Sequence, residues 1–227
     1  MKIERRVLKG APLAALCLSA VTLSACGGDG GSKSDAAVAL PQLTAASAGK
    51  LGSCADLASR ISYPNTTIAS AASVAAGVLT VAGKPVPAHC LVKGSMFQRT
   101  GPVDGQSYAI GFEMRLPVDW NGRFFYQANG GLDGAVVTAT GDVGGGGQLD
   151  NALNQGFAVI SSDAGHGAAT PLFGLDPQAR LDYGYQASGK LAPMAKSVIQ
   201  TAYGKGPDRS YFGGCSNGGR HTMVAAA

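Results

Sequence analysis

An α/β fold with an at least partly parallel sheet is predicted by three features of this 227-residue chain. Short apolar runs alternate with segments of helical spacing. Glycine accounts for 34 residues, about twice its usual ~7% share, which argues against a helical bundle and for many tight turns. One apolar run leads directly into Gly214-Cys215-Ser216-Asn217-Gly218, and a helix-compatible run follows it. The 45% apolar content suffices for a core. Charged residues, at 14% against roughly 25% in an average domain, exclude a disordered charged tail or a polyelectrolyte-binding arm.

Met1–Lys9 is a positive segment, and Pro12–Val21 is a short apolar one. The apolar run is too short to span a bilayer, so the two together read as an export signal. Leu23-Ser24-Ala25-Cys26 resembles a bacterial lipobox, which implies cleavage before Cys26 and a lipid anchor on its thiol. Ordinary secretion with cleavage at an Ala-x-Ala-like site is the alternative. Gly27 to about Gly49 is rich in Gly, Ser and Ala and reads as a flexible tether. The chain therefore divides into a signal over 1–25, a tether over 26–49 and the N-terminal part of a folded domain over 50–227. Four of the 18 basic and one of the 14 acidic residues lie in the first ten positions, so the net charge of +4 falls to +1 for the remainder. A body so neutral has no electrostatic footprint for nucleic acid.

Ser107–Arg115 alternates Tyr108, Ile110, Phe112 and Met114 with Ala109, Gly111, Glu113 and Arg115, the pattern of a half-buried strand. Pro117–Gly122 reads as a turn, with Trp120 a packing anchor beside it. Phe124–Tyr126 is a buried strand leading into Asn129-Gly130-Gly131. Gly147–Gly156 predicts a short helix ending at Gly156. Phe157–Ile160 is the next buried strand, ending at Asp163-Ala164-Gly165-His166. Residues 183–203 carry helical spacing at Leu191, Ala195, Val198, Ile199 and Ala202, with Pro193 marking a kink or the first turn. Ser210–Phe212 is the last strand, and Thr222–Ala227 continues as helix.

Five cysteines are present. Cys17 leaves with the signal and Cys26 takes the lipid, which leaves an odd three in an oxidising compartment. Cys54 and Cys90 bracket a segment without a strong core pattern, where a disulfide would contribute roughly 3–4 kcal/mol in the chain-entropy model. Cys215 then stands alone, as a reactive thiol or as one half of a bridge to sequence outside these residues.

The strand–Gly-x-Ser-x-Gly–helix arrangement is that of a nucleophile elbow. Ser216 would be exposed at the carboxyl edge of the sheet, and the Asn217 N–H at the helix N-terminus would face a developing oxyanion. The Asn129-Gly130-Gly131 turn occupies the place of a second oxyanion donor. A serine nucleophile also needs a base and an orienting acid, which in this arrangement follow it as Asp or Glu and then His. Eleven residues follow Ser216, and none is acidic. His221 reads as a surface or packing residue pointing away from the elbow, His89 as structural, and His166 as a loop residue poorly placed to be the base. Asp142, Asp150, Asp163, Asp176 and Asp182 read as solvated loop or cap residues. Gly144–Gly147 lacks the lysine of a phosphate loop. No His or Cys spacing suggests a metal.

Three segments together resemble the tannase and feruloyl esterase family of α/β hydrolases. They are Leu116-Pro117 with Trp120-Asn121-Gly122-Arg123-Phe124-Phe125, then Leu181-Asp182-Tyr183-Gly184-Tyr185, then Arg209 through Arg220 with its Cys215-Ser216-Asn217-Gly218-Gly219-Arg220 core. The resemblance implies an α/β-hydrolase fold, truncated after the nucleophile elbow, with the lid and later strands outside this chain. It implies Ser216 as nucleophile and Gly131 and Asn217 as oxyanion donors. It further implies a Cys54–Cys90 disulfide, and Cys215 paired with a cysteine beside a downstream catalytic histidine. The family's catalytic aspartate and calcium-bearing lid also lie downstream, so no cofactor is expected in this chain. The expected partners are a small aromatic ester (gallate, ferulate or a terephthalate monoester) and, through Cys26, a membrane. The expected function is carboxylic ester hydrolysis by an exported lipoprotein, with negligible turnover by these 227 residues alone. The alternatives are a surface lipoprotein that uses a hydrolase-like fold only for binding and a thiol enzyme based on Cys215.

Overall fold

The computed structural model describes residues 43–142 and 151–227. The signal, Cys26, most of the tether and Gly144–Gly147 lie outside those residues. Thr44–Gly49, expected to belong to the tether, are instead held against the chain near residue 208. The Ser47 N–H donates to Asp208 Oδ2 at 2.7 Å, Lys205 Nζ donates to Ser47 O at 2.8 Å, and Arg209 Nη2 donates to Thr44 O. Low-complexity composition could not reveal this, because the segment is held largely through its own backbone groups, by side chains about 160 positions away.

The chain then forms β1 (Gly49–Lys50), α1 (Leu57–Arg60), β2 (Thr66–Val74), β3 (Thr80–Val81), β4 (Lys84–Pro85) and β5 (His89–Thr100). Next come β6 (Ser107–Pro117), β7 (Asp119–Trp120), β8 (Arg123–Ala128) and β9 (Ala158–Ser162). A 3-10 turn (Pro171–Leu175), α2 (Pro177–Leu181), a π turn (Asp182–Gln186) and α3 (Ala187–Tyr203) follow, then β10 (Arg209–Gly214) and α4 (Asn217–Ala226). Among the described residues the main sheet has six strands in the order β10-β8-β9-β6-β5-β2. β8, β9 and β10 run parallel, and β6, β5 and β2 are antiparallel. This mixed sheet with helices agrees with the α/β expectation.

Two apolar clusters lie against the sheet. The larger takes Phe112, Met114, Phe124 and Ile160 from the strands and Leu191, Met194, Val198 and Ile199 from α3. The smaller groups Val86, Ala139, Leu153 and Val159. Residues of β6 from Phe112 onward are consequently buried on both faces rather than one. Every α3 position marked by the helical spacing is buried. Pro193 sits inside α3 rather than in its first turn. Its lost hydrogen bond and ring clash cost about 3 kcal/mol. The buried face of Leu191, Met194, Ala195, Val198 and Ile199 offsets this, at ~1.5–3 kcal/mol for each large side chain.

The helix expected over 147–156 is not formed in its described part. Gln155 N–H donates to Ala152 O at 3.1 Å and Phe157 N–H to the same oxygen at 3.0 Å, which closes a turn. Gly156, at φ +83°, reverses the chain before a helix can develop. The segment between Cys54 and Cys90, which lacks a core pattern, holds α1, β2 and the β3–β4 hairpin. The disulfide joins Cys54 to Cys90 across 36 positions, with Cα atoms 5.6 Å apart. Trp120 is buried, stacks on Tyr203 at 4.4 Å and donates its indole N–H to Arg123 O.

Candidate active site

The three parallel strands end at one edge of the sheet, where α/β folds place their ligands. β10 ends at Gly214 opposite Ala128, the last residue of β8. Cys215 and Ser216 make the turn into α4. Ser216 is exposed and holds φ +56°, ψ −121°, a conformation that costs a non-glycine residue about 1–3 kcal/mol. The flanking glycines are required by close approach. A Cβ on Gly214 or Gly218 would stand 2.5 or 2.4 Å from the Ala128 carbonyl oxygen.

The first turn of α4 uses the amides of Gly218, bonded to Cys215 O, and of Gly219 and Arg220, bonded to Ser216 O. Among the described residues no acceptor takes the Asn217 N–H, as expected for the first amides of a helix. The turn after β8 runs beside the elbow, where a Cβ on Gly130 would lie 3.4 Å from Cys215 O and 3.9 Å from Ser216 Cβ. Gly131 follows at φ +65°, which glycine takes without steric cost.

A cavity of about 630 Å³ opens on Ser216 and Cys215, with Val137, Thr138 and Val81 among its walls. Gln127 fixes its floor. The Gln127 Oε1 accepts the N–H groups of Thr140 and Gly141, and its amide nitrogen donates to Asn129 Oδ1 and Thr138 O. Asn129 in turn donates to Ser162 O and Ser161 Oγ, which ties the turn after β8 to the end of β9.

A sequence model described as tannase and feruloyl esterase matches residues 90–227. The chain belongs to that family. It is 42% identical over 173 residues to the mono(2-hydroxyethyl) terephthalate hydrolase of Piscinibacter sakaiensis, covering 71% of this chain and 28% of that protein. It is 31% identical over 176 residues to feruloyl esterase B of Aspergillus niger, covering 74% of this chain and 32% of that protein. The crystal structure of feruloyl esterase B from Aspergillus oryzae aligns with a TM-score of 0.60 at 26% identity, over 74% of this chain and 32% of that one. The chain thus spans about a third of the length of these family members.

Two of the segments that carry the family likeness meet behind the elbow. The Arg220 guanidinium donates to the carbonyls of Gly184 at 3.0 Å and Tyr183 at 3.1 Å, and lies 4.7 Å from the centre of the Tyr183 ring. His221 does not point to the surface. It is buried one turn along α4, and its Nε2 donates to Asp133 Oδ2 at 2.9 Å. The sequence offers no periodic signal for this pair, which joins positions 88 apart.

The other two histidines are also committed. His166 Nε2 donates to Leu132 O at 2.6 Å, and the ring stacks on Phe173. Burial lowers its pKa despite that bond. His89 Nδ1 donates to Pro87 O and its Nε2 accepts from Arg115, while burial again lowers its pKa. None of the three lines the cavity on which Ser216 opens.

Three aspartates expected in solvent are not there. Asp176 does cap α2 through the Ala179 N–H, but it is fully buried, and the Arg99 guanidinium holds its pKa below the usual carboxylate range. Asp182 is buried against Lys190 at 2.6 Å. Asp163 accepts the N–H groups of Gly111 and Gly165, and burial pushes its pKa up to about 7. Cys215 is an exposed free thiol at the cavity mouth. Among the described residues no three His, Cys, Asp or Glu side chains converge as metal ligands.

Proposed function

We propose that the complete gene product hydrolyses aromatic carboxylic esters through an acyl-enzyme on Ser216. The observation that carries this reading is Ser216 itself, exposed in a strained strand-to-helix turn that opens on a cavity, in a chain of the tannase and feruloyl esterase family. The Ser216 Oγ attacks the ester carbonyl and gives up its proton to a general base. The carbonyl oxygen becomes an oxyanion facing the N–H groups of Gly131 and Asn217. The alcohol leaves with a proton, and water then releases the acid and restores Ser216.

We place the base and its orienting acid outside these 227 residues, because all three histidines present are engaged away from Ser216. Calcium, which the resemblance assigns to a lid, takes no part in the steps given to these residues. Cys215 is best read as half of a bridge to a cysteine near that base, and Cys26 as the lipid-anchor site of an exported protein. The aromatic acid is taken from the names of the relatives, which include a terephthalate monoester hydrolase and feruloyl esterases. A binding-only role leaves the strain at Ser216 without a purpose.

Ser216→Ala in the complete gene product is expected to abolish hydrolysis of p-nitrophenyl and hydroxycinnamate esters. An unchanged rate would overturn the reading. Detergent partitioning tests the anchor separately: Cys26→Ser should move the protein to the aqueous phase.

A further inference from the structure

The two N–H groups assigned to the oxyanion sit on different segments, which pack closely. Yet among the described residues no backbone hydrogen bond joins residues 129–134 to residues 215–221. Side chains make the connection. Asp133 is buried at φ +55°, and its N–H donates to Gly130 O, so the carboxylate is rooted in the Gly130–Gly131 turn. Its Oδ2 accepts from His221 Nε2 at 2.9 Å and from Asn217 Nδ2 at 3.1 Å, both on α4.

The other end of the Asn217 amide is also gripped, since Arg220 Nε donates to its Oδ1 at 2.6 Å. Arg220 reaches the Tyr183 carbonyl, and Tyr183 Oη donates to Gly131 O at 3.4 Å, which closes a ring of contacts back to the turn.

We propose that Asp133 is a positioning residue for ester hydrolysis. Its carboxylate clamps the Gly130–Gly131 turn to the first turn of α4 and thereby sets the distance between the Gly131 and Asn217 N–H donors. This rests on the reading of Ser216 as nucleophile and of those two groups as its oxyanion donors. The physical reason is that such donors act only within about 2.7–3.1 Å of the oxyanion, so a small displacement of one segment is felt in the transition state more than in substrate binding.

The test uses the complete gene product, p-nitrophenyl esters and a fluorophosphonate that titrates reactive Ser216, so that rates are expressed per competent site. Asp133→Ala is expected to lower kcat per titrated site about 10–100-fold, with KM within about threefold. Inhibition by an arylboronic acid, which becomes tetrahedral on the serine, should weaken by a similar factor. Asp133→Asn keeps an acceptor oxygen and should recover most of kcat. Asn217→Ala keeps the backbone donor but removes the grip on it, and should lower kcat about tenfold even if Asp133→Ala does not fold. A loss that vanishes when rates are divided by titrated sites, a loss confined to KM, or wild-type kcat in Asn217→Ala overturns the proposal. Hydrolysis surviving Ser216→Ala would instead overturn the reading beneath it, whatever Asp133 does.

Discussion

Two buried clusters in this chain pair a histidine with a carboxylate-bearing network, and they have different consequences. In the antiparallel half, Arg115 bridges Glu113 and His89 at 2.7 Å to each. All three lie on β5 and β6, whose backbone ladder already runs from His89 opposite Pro117 to Thr100 opposite Ser107. The side chains consolidate an arrangement that the ladder sets. In the parallel half, Asp133, Asn217 and His221 lie on a turn and a helix, and the ladder between β8 and β10 stops before both. There no ladder joins the two, and the side chains act together with the close packing of Gly214 and Gly218 against Ala128 O to set the geometry. Non-glycine residues of positive φ occur in both halves, Asn65, Ala82 and Phe97 in one and Asp133, Ala164 and Ser216 in the other, but those of the parallel half all follow the carboxyl ends of its three strands.

Gly218→Ala strikes the parallel half hardest. Its Cβ would stand 2.4 Å from Ala128 O and 2.9 Å from Asn129 O, so α4 must move away from the end of β8. Activity per mole of protein is expected to fall about 100-fold or more, which steady-state ester hydrolysis would show. A variant retaining wild-type kcat would mean that this edge is softer than its packing implies.

Replacing Cys54 and Cys90 together by serine addresses the opposite half. Stability should fall by about 2–4 kcal/mol in denaturant titration, while kcat per titrated site stays unchanged. A matching loss of kcat would show that the two halves are not independent.

Asp163 lies at their junction, accepting Gly111 N–H from β6 and Gly165 N–H from the loop after β9. Its pKa is raised from 3.8 to about 7, chiefly by burial, so the folded state favours its protonated form. Its stabilising contribution is therefore complete below about pH 4 and is lost as the pH rises to about 7. Asp163→Asn should flatten the pH dependence of the thermal midpoint over that window. An unchanged pH profile would show that Asp163 is ionised in the fold throughout.

Local patterns made much of this legible. The alternation over Ser107–Arg115 marks β6, and the spacing of Leu191, Ala195, Val198 and Ile199 marks the buried face of α3. β2 carries no legible pattern because it is the edge strand and all of its residues stay partly or fully exposed. A glycine that ends a run predicts a helix stop at Gly156, but Gly156 at φ +83° instead closes a turn over residues 152–156 before a helix forms.

By itself, the sequence determined the α/β class and the position of Ser216 between strand and helix. Both are written in short-range periodicity and in glycines that a single turn requires. Only the tertiary structure decided that His221 turns inward to Asp133 and that Arg220 seats on the Tyr183-Gly184 carbonyls. Those contacts join residues 36 to 88 positions apart, where no local propensity selects a partner. They exist because the parallel strands bring their carboxyl ends together, and burial there leaves each polar group to find its bond within the protein.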